Sequence, residues 1–85
     1  MAEVFELTVI NPQEIIYQGR VVSLVAPCSL GYLGVLANHF PLIAKLVRGK
    51  IIIREESGKT TILHSESPGF LEVSNNNVNM ILQQA

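Results

Sequence analysis

Hydrophobic and polar residues alternate with a period of two along almost the whole chain. Near the start, Phe5, Leu7 and Val9 alternate with Glu6 and Thr8, as expected for a strand that buries one face. No stretch of ten or more residues combines the 3.6-residue period of a helix with helix-capping signals. The pattern therefore predicts an all-β chain.

Turn-forming residues divide the chain into about nine predicted strands. Asn11-Pro12 ends the first strand, Gly19 and Pro27 end the next two, and Gly49 separates the fifth from the sixth, because proline and glycine interrupt regular strands. The predicted strands cover residues 5–9, 15–17, 20–26, 33–36, 42–47, 50–54, 60–65, 70–73 and 78–82. Short strands at this spacing are typical of a mostly antiparallel sandwich or barrel.

Two turns and one apolar run refine this prediction. Residues 55–59 connect one hairpin, and the run Asn75-Asn76-Asn77 connects another, because asparagine tolerates positive φ. Three consecutive isoleucines, Ile51 to Ile53, must point to both faces of their strand. Either a loop or the other sheet covers the second face, or an exposed apolar strip there docks onto another protein.

Composition narrows the class of protein. With 85 residues, 48% of them hydrophobic, the chain is long enough for one folded domain, which we predict over residues 1–85. Six basic and seven acidic residues are dispersed, so we expect no nucleic-acid binding, which requires a concentrated basic surface. No segment reaches the length of a membrane-spanning helix, and the start does not resemble a secretion signal. We expect a soluble protein without direct membrane insertion.

Candidate catalytic residues are scarce. The chain has one cysteine, Cys28, two histidines and no aspartate. A Cys28–His39 pair is conceivable, but a reactive thiol needs an electropositive environment. No residues have the spacing of a zinc site, and Gly31 and Gly34 do not form a phosphate-binding motif. We therefore predict no catalytic site, no metal and no cofactor. One alternative is a β-sandwich that binds a peptide or sugar, although the chain has only five aromatic residues and no tryptophan.

The segment GYLGVLANHFPL, residues 31–42, resembles the G-E-L-G-(I/V)-L-P-G-H-A-P-L signature of the epsilon subunit of rotary (F-type) ATP synthases. The matching positions are Gly31, Leu33, Gly34, Val35, Leu36, His39, Pro41 and Leu42. The opening FELTVINPQEIIYQGRVVSLVAP and the later blocks RGKIIIRE and SPGFLEVSNNNVNMI are also similar to blocks of that family, in the same order. The resemblance covers essentially the whole chain.

This resemblance implies a two-sheet β-sandwich of about ten strands and a non-catalytic role in the central stalk. Such a subunit couples the membrane ring of c subunits to the gamma subunit of a proton- or sodium-driven ATP synthase. It would be peripheral, on the cytoplasmic face of a bacterial inner membrane or on the stromal side of a thylakoid. The residues expected to contact gamma or the c-ring are Gly31, Tyr32, Leu33, Gly34, His39, Phe40 and Pro41.

Several positions depart from the family pattern. Tyr32 stands where the family usually has an acid that faces the ring, so charge pairing does not carry over. Ala37-Asn38 replaces Pro-Gly, and Phe40 replaces a small residue. His39 bonds either to a partner or to its own loop backbone.

The C-terminus is a larger departure. The sequence given stops at Ala85, before the two-helix domain with which many members brake rotation. We expect no helical hairpin within it. The initial methionine favours a naturally short chain, with a piece of a longer protein as the alternative.

Overall fold

The computed structural model describes residues 3–66 and 68–83, which form strands and turns. The all-β prediction is confirmed, but eight strands are present where nine or ten were expected. They are β1 Phe5–Ile10, β2 Ile15–Cys28, β3 Gly31–Leu36, β4 Leu42–Leu46, β5 Gly49–Glu55, β6 Thr60–Ser65, β7 Gly69–Ser74 and β8 Asn77–Leu82. Within this part of the chain, no helix has the length and apolar character that a bilayer crossing requires.

The predicted break at Gly19 is wrong, because residues 15–17 and 20–26 belong to one continuous strand, β2. Gly19 lies opposite Leu7, in the part of the antiparallel ladder with β1 whose register is continuous from Phe5 to Val9. A glycine weakens a strand by its backbone entropy, but here the hydrogen bonds on both sides of it are kept. This single merger accounts for the difference between nine predicted strands and eight observed ones.

The predicted stop at Pro27 is also wrong, because β2 continues through it to Cys28. The Pro27 carbonyl accepts a hydrogen bond from the Val47 amide at 2.9 Å. The N–H and C=O groups of one strand residue point to the same side, so the N–H that proline lacks would also face this side. The ladder between β2 and β5 has already ended there, at Val25. The proline therefore interrupts no pairing with β5, and it can lie within a strand.

The strands form two layers that share β2. One layer contains β4, β7, β8, β1 and the first half of β2, and the other contains β6, β5, the second half of β2 and β3. The register of β2 against β5 shifts between Val21 and Ser23, where β2 passes from one layer to the other, and such bulges bend a strand. Among the described pairings, only β1 with β8 is parallel.

Inward-facing side chains of both layers form the core. On β1 the buried residues are Phe5, Leu7 and Val9, which is the period of two that the sequence shows. Ile51 and Ile53 are buried as well, while Ile52 is half-buried on the outer face. It lies opposite Ile62 of β6, whose side chain is exposed. The second face of β5 therefore carries a partly exposed apolar strip, whose docking onto another protein stays a prediction.

Asparagines shape several of the turns. Asn75 and Asn76 have φ values of 51° and 60°, which matches the left-handed pair of a tight hairpin turn between β7 and β8. The Asn11 side chain accepts hydrogen bonds from the amides of Gln13 and Glu14 at 2.9 and 2.8 Å, so it caps the turn between β1 and β2. The predicted asparagine hairpin is confirmed.

Gly69 offers a test of the close packing of β7 against β8. A Cβ placed there would lie 2.1 Å from the Ile81 carbonyl oxygen, whereas a Cβ on Gly34 would meet nothing within 4 Å. We expect Gly69→Ala to lower the free energy of unfolding by about 2 kcal/mol or more through overpacking. The matched control Gly34→Ala should be neutral or slightly stabilising. Urea unfolding measures both, and equal effects of the two substitutions would contradict this packing.

The bond between Tyr17 and Glu55 should make stability depend on alkaline pH. The Tyr17 hydroxyl donates to Glu55 Oε2 at 2.7 Å and joins the first half of β2 to β5. Burial, then this hydrogen bond and the negative charge of Glu55, raise the pKa of Tyr17 to about 12. Unfolded tyrosine has a pKa of about 10. The added stability is therefore complete below about pH 10 and lost as the pH rises from about 10 to 12.

Tyr17→Phe removes the titrating hydroxyl, so its unfolding free energy should fall less steeply across this pH window than that of the wild type. Chemical unfolding followed by circular dichroism at several pH values measures the slopes. Parallel slopes in the two proteins would show that the Tyr17–Glu55 bond does not contribute.

Candidate partner-contact site

The seven residues predicted to contact a partner lie in two separate places. Gly31 to Gly34 belong to β3, while residues 39–41 lie in the loop between β3 and β4. The loop is joined to the turn between β7 and β8, whereas Gly31 pairs with Cys28 at the opposite end of β3. At about 3.3 Å per residue, the two ends of β3 are separated by roughly 17 Å. One small partner surface cannot contact both groups without extending along β3.

The β3 residues differ in which side they present. Tyr32 is 64% exposed and lies on the outer face of its layer, while Leu33 is half-buried against the core. Gly31 has a φ of 121°, a backbone conformation that favours glycine. Among residues 3–66 and 68–83, apart from the chain neighbours of each glycine, no atom comes within 4 Å of a Cβ placed on Gly31 or Gly34. The two glycines therefore do not serve close packing against the described part of the chain.

The loop residues form a stacked pair. The rings of His39 and Phe40 have centroids 4.4 Å apart and planes inclined by 27°, and Phe40 is 69% exposed. His39 Nδ1 lies 2.8 Å from the Phe40 carbonyl oxygen. Since a carbonyl only accepts, that nitrogen carries the proton in this contact. One ring nitrogen thus bonds to the loop backbone, which was one of the two interpretations of His39.

Side-chain hydrogen bonds hold this loop in place. Asn38 has a φ of 63°, a left-handed conformation that asparagine tolerates. Its amide donates to Asn76 Oδ1 at 2.7 Å, and Asn76 Nδ2 donates to the Val4 carbonyl at 2.9 Å. The Asn38 side chain also bonds the Glu3 carboxylate. The loop is therefore joined to both the β7–β8 turn and the start of the chain.

Exposed apolar side chains concentrate between residues 30 and 43. Residues 3–66 and 68–83 have nine large exposed hydrophobic side chains, and five of them fall in this segment. Sequence reasoning selected only two of the five, Tyr32 and Phe40. The five are Leu30, Tyr32, Leu36, Phe40 and Ile43. Leu36 could have been found, because the period of two places it on the same face as Tyr32. Leu30 and Ile43 give no comparable signal, since their exposure depends on the turn at residues 29–30 and on how β4 packs.

An open cleft lies beside β3. Its volume is about 460 Å³, and residues 28–33 line one side while residues 42–45 line the other. Lys45 is the one charged residue in this lining, and Tyr32 is the one aromatic residue. Sugar sites usually stack the ligand on aromatic rings, so a single tyrosine at the margin gives little support to the sugar-binding alternative.

The structure brings no catalytic group together in this region. Cys28 is buried, and burial raises the pKa of its thiol above the ordinary value, so little reactive thiolate forms. His39 lies beyond the other end of β3, in the loop joined to Asn76. Residues 3–66 and 68–83 also contain no cluster of three metal-binding side chains. The arrangement is suited to contact with another macromolecule through apolar surface and backbone.

Residues 4–85 match the family model described as the β-sandwich domain of the ATP synthase delta/epsilon chain. The chain is 34% identical to the ATP synthase epsilon chain of Dichelobacter nodosus over 85 residues, which is 100% of this chain and 59% of that relative. It is 41% identical to the ATP synthase epsilon chain of Leptospira borgpetersenii over 80 residues, covering 94% of this chain and 61% of that relative. The chain thus spans less than two thirds of these curated relatives.

Solved structures show the same fold. A chain in the mitochondrial ATP synthase of Euglena gracilis, solved as OSCP, F1 and c-ring, superposes with a TM-score of 0.86 at 27% identity, covering 93% of this chain and 50% of that one. A chain in the central stalk and c-ring of the Tetrahymena thermophila mitochondrial ATP synthase superposes with a TM-score of 0.78 at 16% identity, covering 98% and 66%. The second likeness supports the fold alone.

The role of Asn76 in holding the loop can be tested separately from its role in the turn. Asn76→Gly keeps the left-handed backbone but removes the hydrogen bonds to Asn38 and Val4, at a cost of about 1 kcal/mol. Asn75→Gly is the matched control, because it changes the neighbouring turn position. We expect the Asn38 amide to exchange with solvent about five to ten times faster in Asn76→Gly only. Equal exchange rates in both variants would mean that the loop is held by other contacts.

Proposed function

This chain belongs to the family of ATP synthase delta and epsilon chains, whose β-sandwich domain matches its residues 4–85, and we propose that it works in the central stalk. In this role it couples the c-ring to the gamma subunit of a proton- or sodium-driven ATP synthase during ATP synthesis. It has no catalytic task of its own there. It is peripheral, on the cytoplasmic face of a bacterial inner membrane or on the stromal side of a thylakoid.

The observation that carries this proposal is the family match across nearly the whole chain. It is supported by curated relatives named ATP synthase epsilon chain and by a neighbour at 27% identity within an assembly of F1 and c-ring. A domain of this size buries only about 60% of the surface of its unfolded chain. Docking onto larger subunits would add buried area to it.

The segment from residue 30 to residue 43 is the proposed contact surface. It includes the seven expected contact residues: Gly31, Tyr32, Leu33, Gly34, His39, Phe40 and Pro41. Exposed aromatic side chains such as Tyr32 and Phe40 supply much of the binding energy at protein interfaces. Because Tyr32 carries no charge, whereas the resembled family signature has glutamate at this place, the contact relies on apolar area and its affinity depends little on salt.

We also propose that residues 1–85 transmit rotation without braking it. The braking known for this family resides in a helical domain, and the described residues form strands and turns. Adding this chain to a complex of gamma and the catalytic F1 subunits that lacks epsilon should therefore leave its rate of ATP hydrolysis unchanged.

The proposal is tested by binding to a subcomplex of gamma and c-ring that lacks its own epsilon subunit. Tyr32→Ala and Phe40→Ala should each weaken binding by about tenfold, as expected for exposed aromatic anchors. Ile15→Ala is the matched control, because Ile15 is also exposed and apolar but lies at the start of β2. Circular dichroism establishes that all three variants are folded.

Salt dependence gives a second readout. Affinity of the wild type should change little between low and moderate salt, while Tyr32→Glu should restore a salt-sensitive interaction if the ring presents basic loops. Failure of the wild-type chain to bind the subcomplex would overturn the proposed function. Equal losses in Tyr32→Ala and Ile15→Ala would instead mean that the contact surface lies elsewhere.

A further inference from the structure

One side of β3 has no strand beside it. Among the described residues, β3 pairs only with β2, and no other backbone hydrogen bond reaches residues 32–36. A strand at the edge of a sheet presents its unpaired N–H and C=O groups to any extended chain that approaches. Which residues of β3 carry these groups follows from the hydrogen bonds of β2.

The backbone groups of β2 point alternately to its two neighbours. The Pro27 carbonyl accepts from the Val47 amide at 2.9 Å, and the Ser29 amide donates to the Lys45 carbonyl at 3.0 Å. The odd-numbered residues in this part of β2 therefore face the β4–β5 side. The even-numbered residues, including Cys28, face β3.

The same alternation assigns the groups of β3. Residues 24, 26 and 28 of β2 lie opposite residues 35, 33 and 31, so Gly31, Leu33 and Val35 use their backbone groups on β2. The N–H and C=O groups of Tyr32, Gly34 and Leu36 then point to the open side. This gives three donors and three acceptors at the spacing of a β-ladder.

The devices that normally block such an edge are missing from β3. Its sequence GYLGVL contains no charged residue and no proline, and its register with β2 is continuous without a bulge. Natural edge strands usually carry at least one of these features, because they prevent unwanted strand pairing. An edge of six residues without them is suited to accept a strand.

The adjacent cleft supplies space for side chains. A strand added to β3 would direct alternate side chains into the opening of about 460 Å³ between β3 and residues 42–45 of the chain. Half-buried Leu33, Leu42 and Ala44 line it, so apolar side chains fit there. Lys45 provides the one charge in this lining and favours a nearby carboxylate on the incoming segment.

We propose that β3 accepts an extended segment of a neighbouring stalk subunit as an added strand, with the open backbone groups of Tyr32, Gly34 and Leu36 forming the new ladder. The inference rests on the proposed function for the identity of the partner. The occupant is a segment of about six residues with alternate apolar side chains and one acidic side chain near Lys45. An added strand would run along the length of β3, as a partner that contacts both groups of expected contact residues must do.

Gly34 allows a sharp test, because a side chain there meets nothing within 4 Å. Gly34→Pro removes one open N–H group, while Gly34→Ala adds a side chain and keeps it. Binding is measured between the full chain and the gamma–c-ring subcomplex. We expect Gly34→Pro to weaken binding by about tenfold or more and Gly34→Ala by less than about threefold.

Amide hydrogen exchange of the wild-type chain provides a readout that does not depend on the variants. On binding the subcomplex, the amides of residues 32, 34 and 36 should become protected at least tenfold. If Gly34→Pro does not fold, this measurement alone decides. Equal binding of the proline and alanine variants, or exchange at these three amides that stays unchanged in the complex, overturns the added strand.

Two further outcomes separate this inference from the proposed function. If the wild-type chain binds the subcomplex but the three amides stay unprotected, the added strand is rejected and the stalk role is not. Absence of wild-type binding rejects both. Self-association of the chain with the same three amides protected would mean that a second copy occupies the edge, and the proposal of a stalk segment would then be wrong.

Discussion

Strand β2 is the element on which the rest of the domain depends, because four other strands take their register from it. Its first half pairs with β1, and its second half pairs with β3 and β5 and touches β4. The register shift near Val21 turns it from one layer into the other. A substitution that shifted the register of β2 by one residue would turn its inward side chains, in both layers, to the outer face.

The same arrangement leaves β3 on the outside. Because β2 pairs with one edge of β3 and no described strand lies along the other, that second edge stays open. In an isolated small domain such an edge is an aggregation hazard, but in a subunit of a larger assembly it is a place for a partner. The exposed apolar residues of the 30–43 segment and the open backbone groups of β3 fit a contact made through backbone and apolar area.

Particular residues show how far sequence reasoning reached. The alternation at residues 5–9 predicted β1 and its buried face, and the asparagine run predicted the hairpin between β7 and β8. The strand breaks expected at Gly19 and Pro27 were wrong. Pairing with β1 continues on both sides of Gly19, and the pairing of β2 with β5 has already ended before Pro27. At the candidate site, Tyr32 and Phe40 were selected from sequence, whereas Leu30 and Ile43 were missed. Their exposure depends on a turn and on a neighbouring strand, and neither carries a periodic signal.

By itself, the sequence determined the all-β class, the inward face of most strands and the family, because side-chain alternation and the 31–42 segment are local properties. Only the tertiary structure decided that β2 is one strand shared by two layers, that the expected contact residues fall in two places, and that β3 has an open edge. These features depend on which strands become neighbours. Hydrogen bonds between segments distant in sequence decide that, and a local pattern of apolar and polar residues does not specify them.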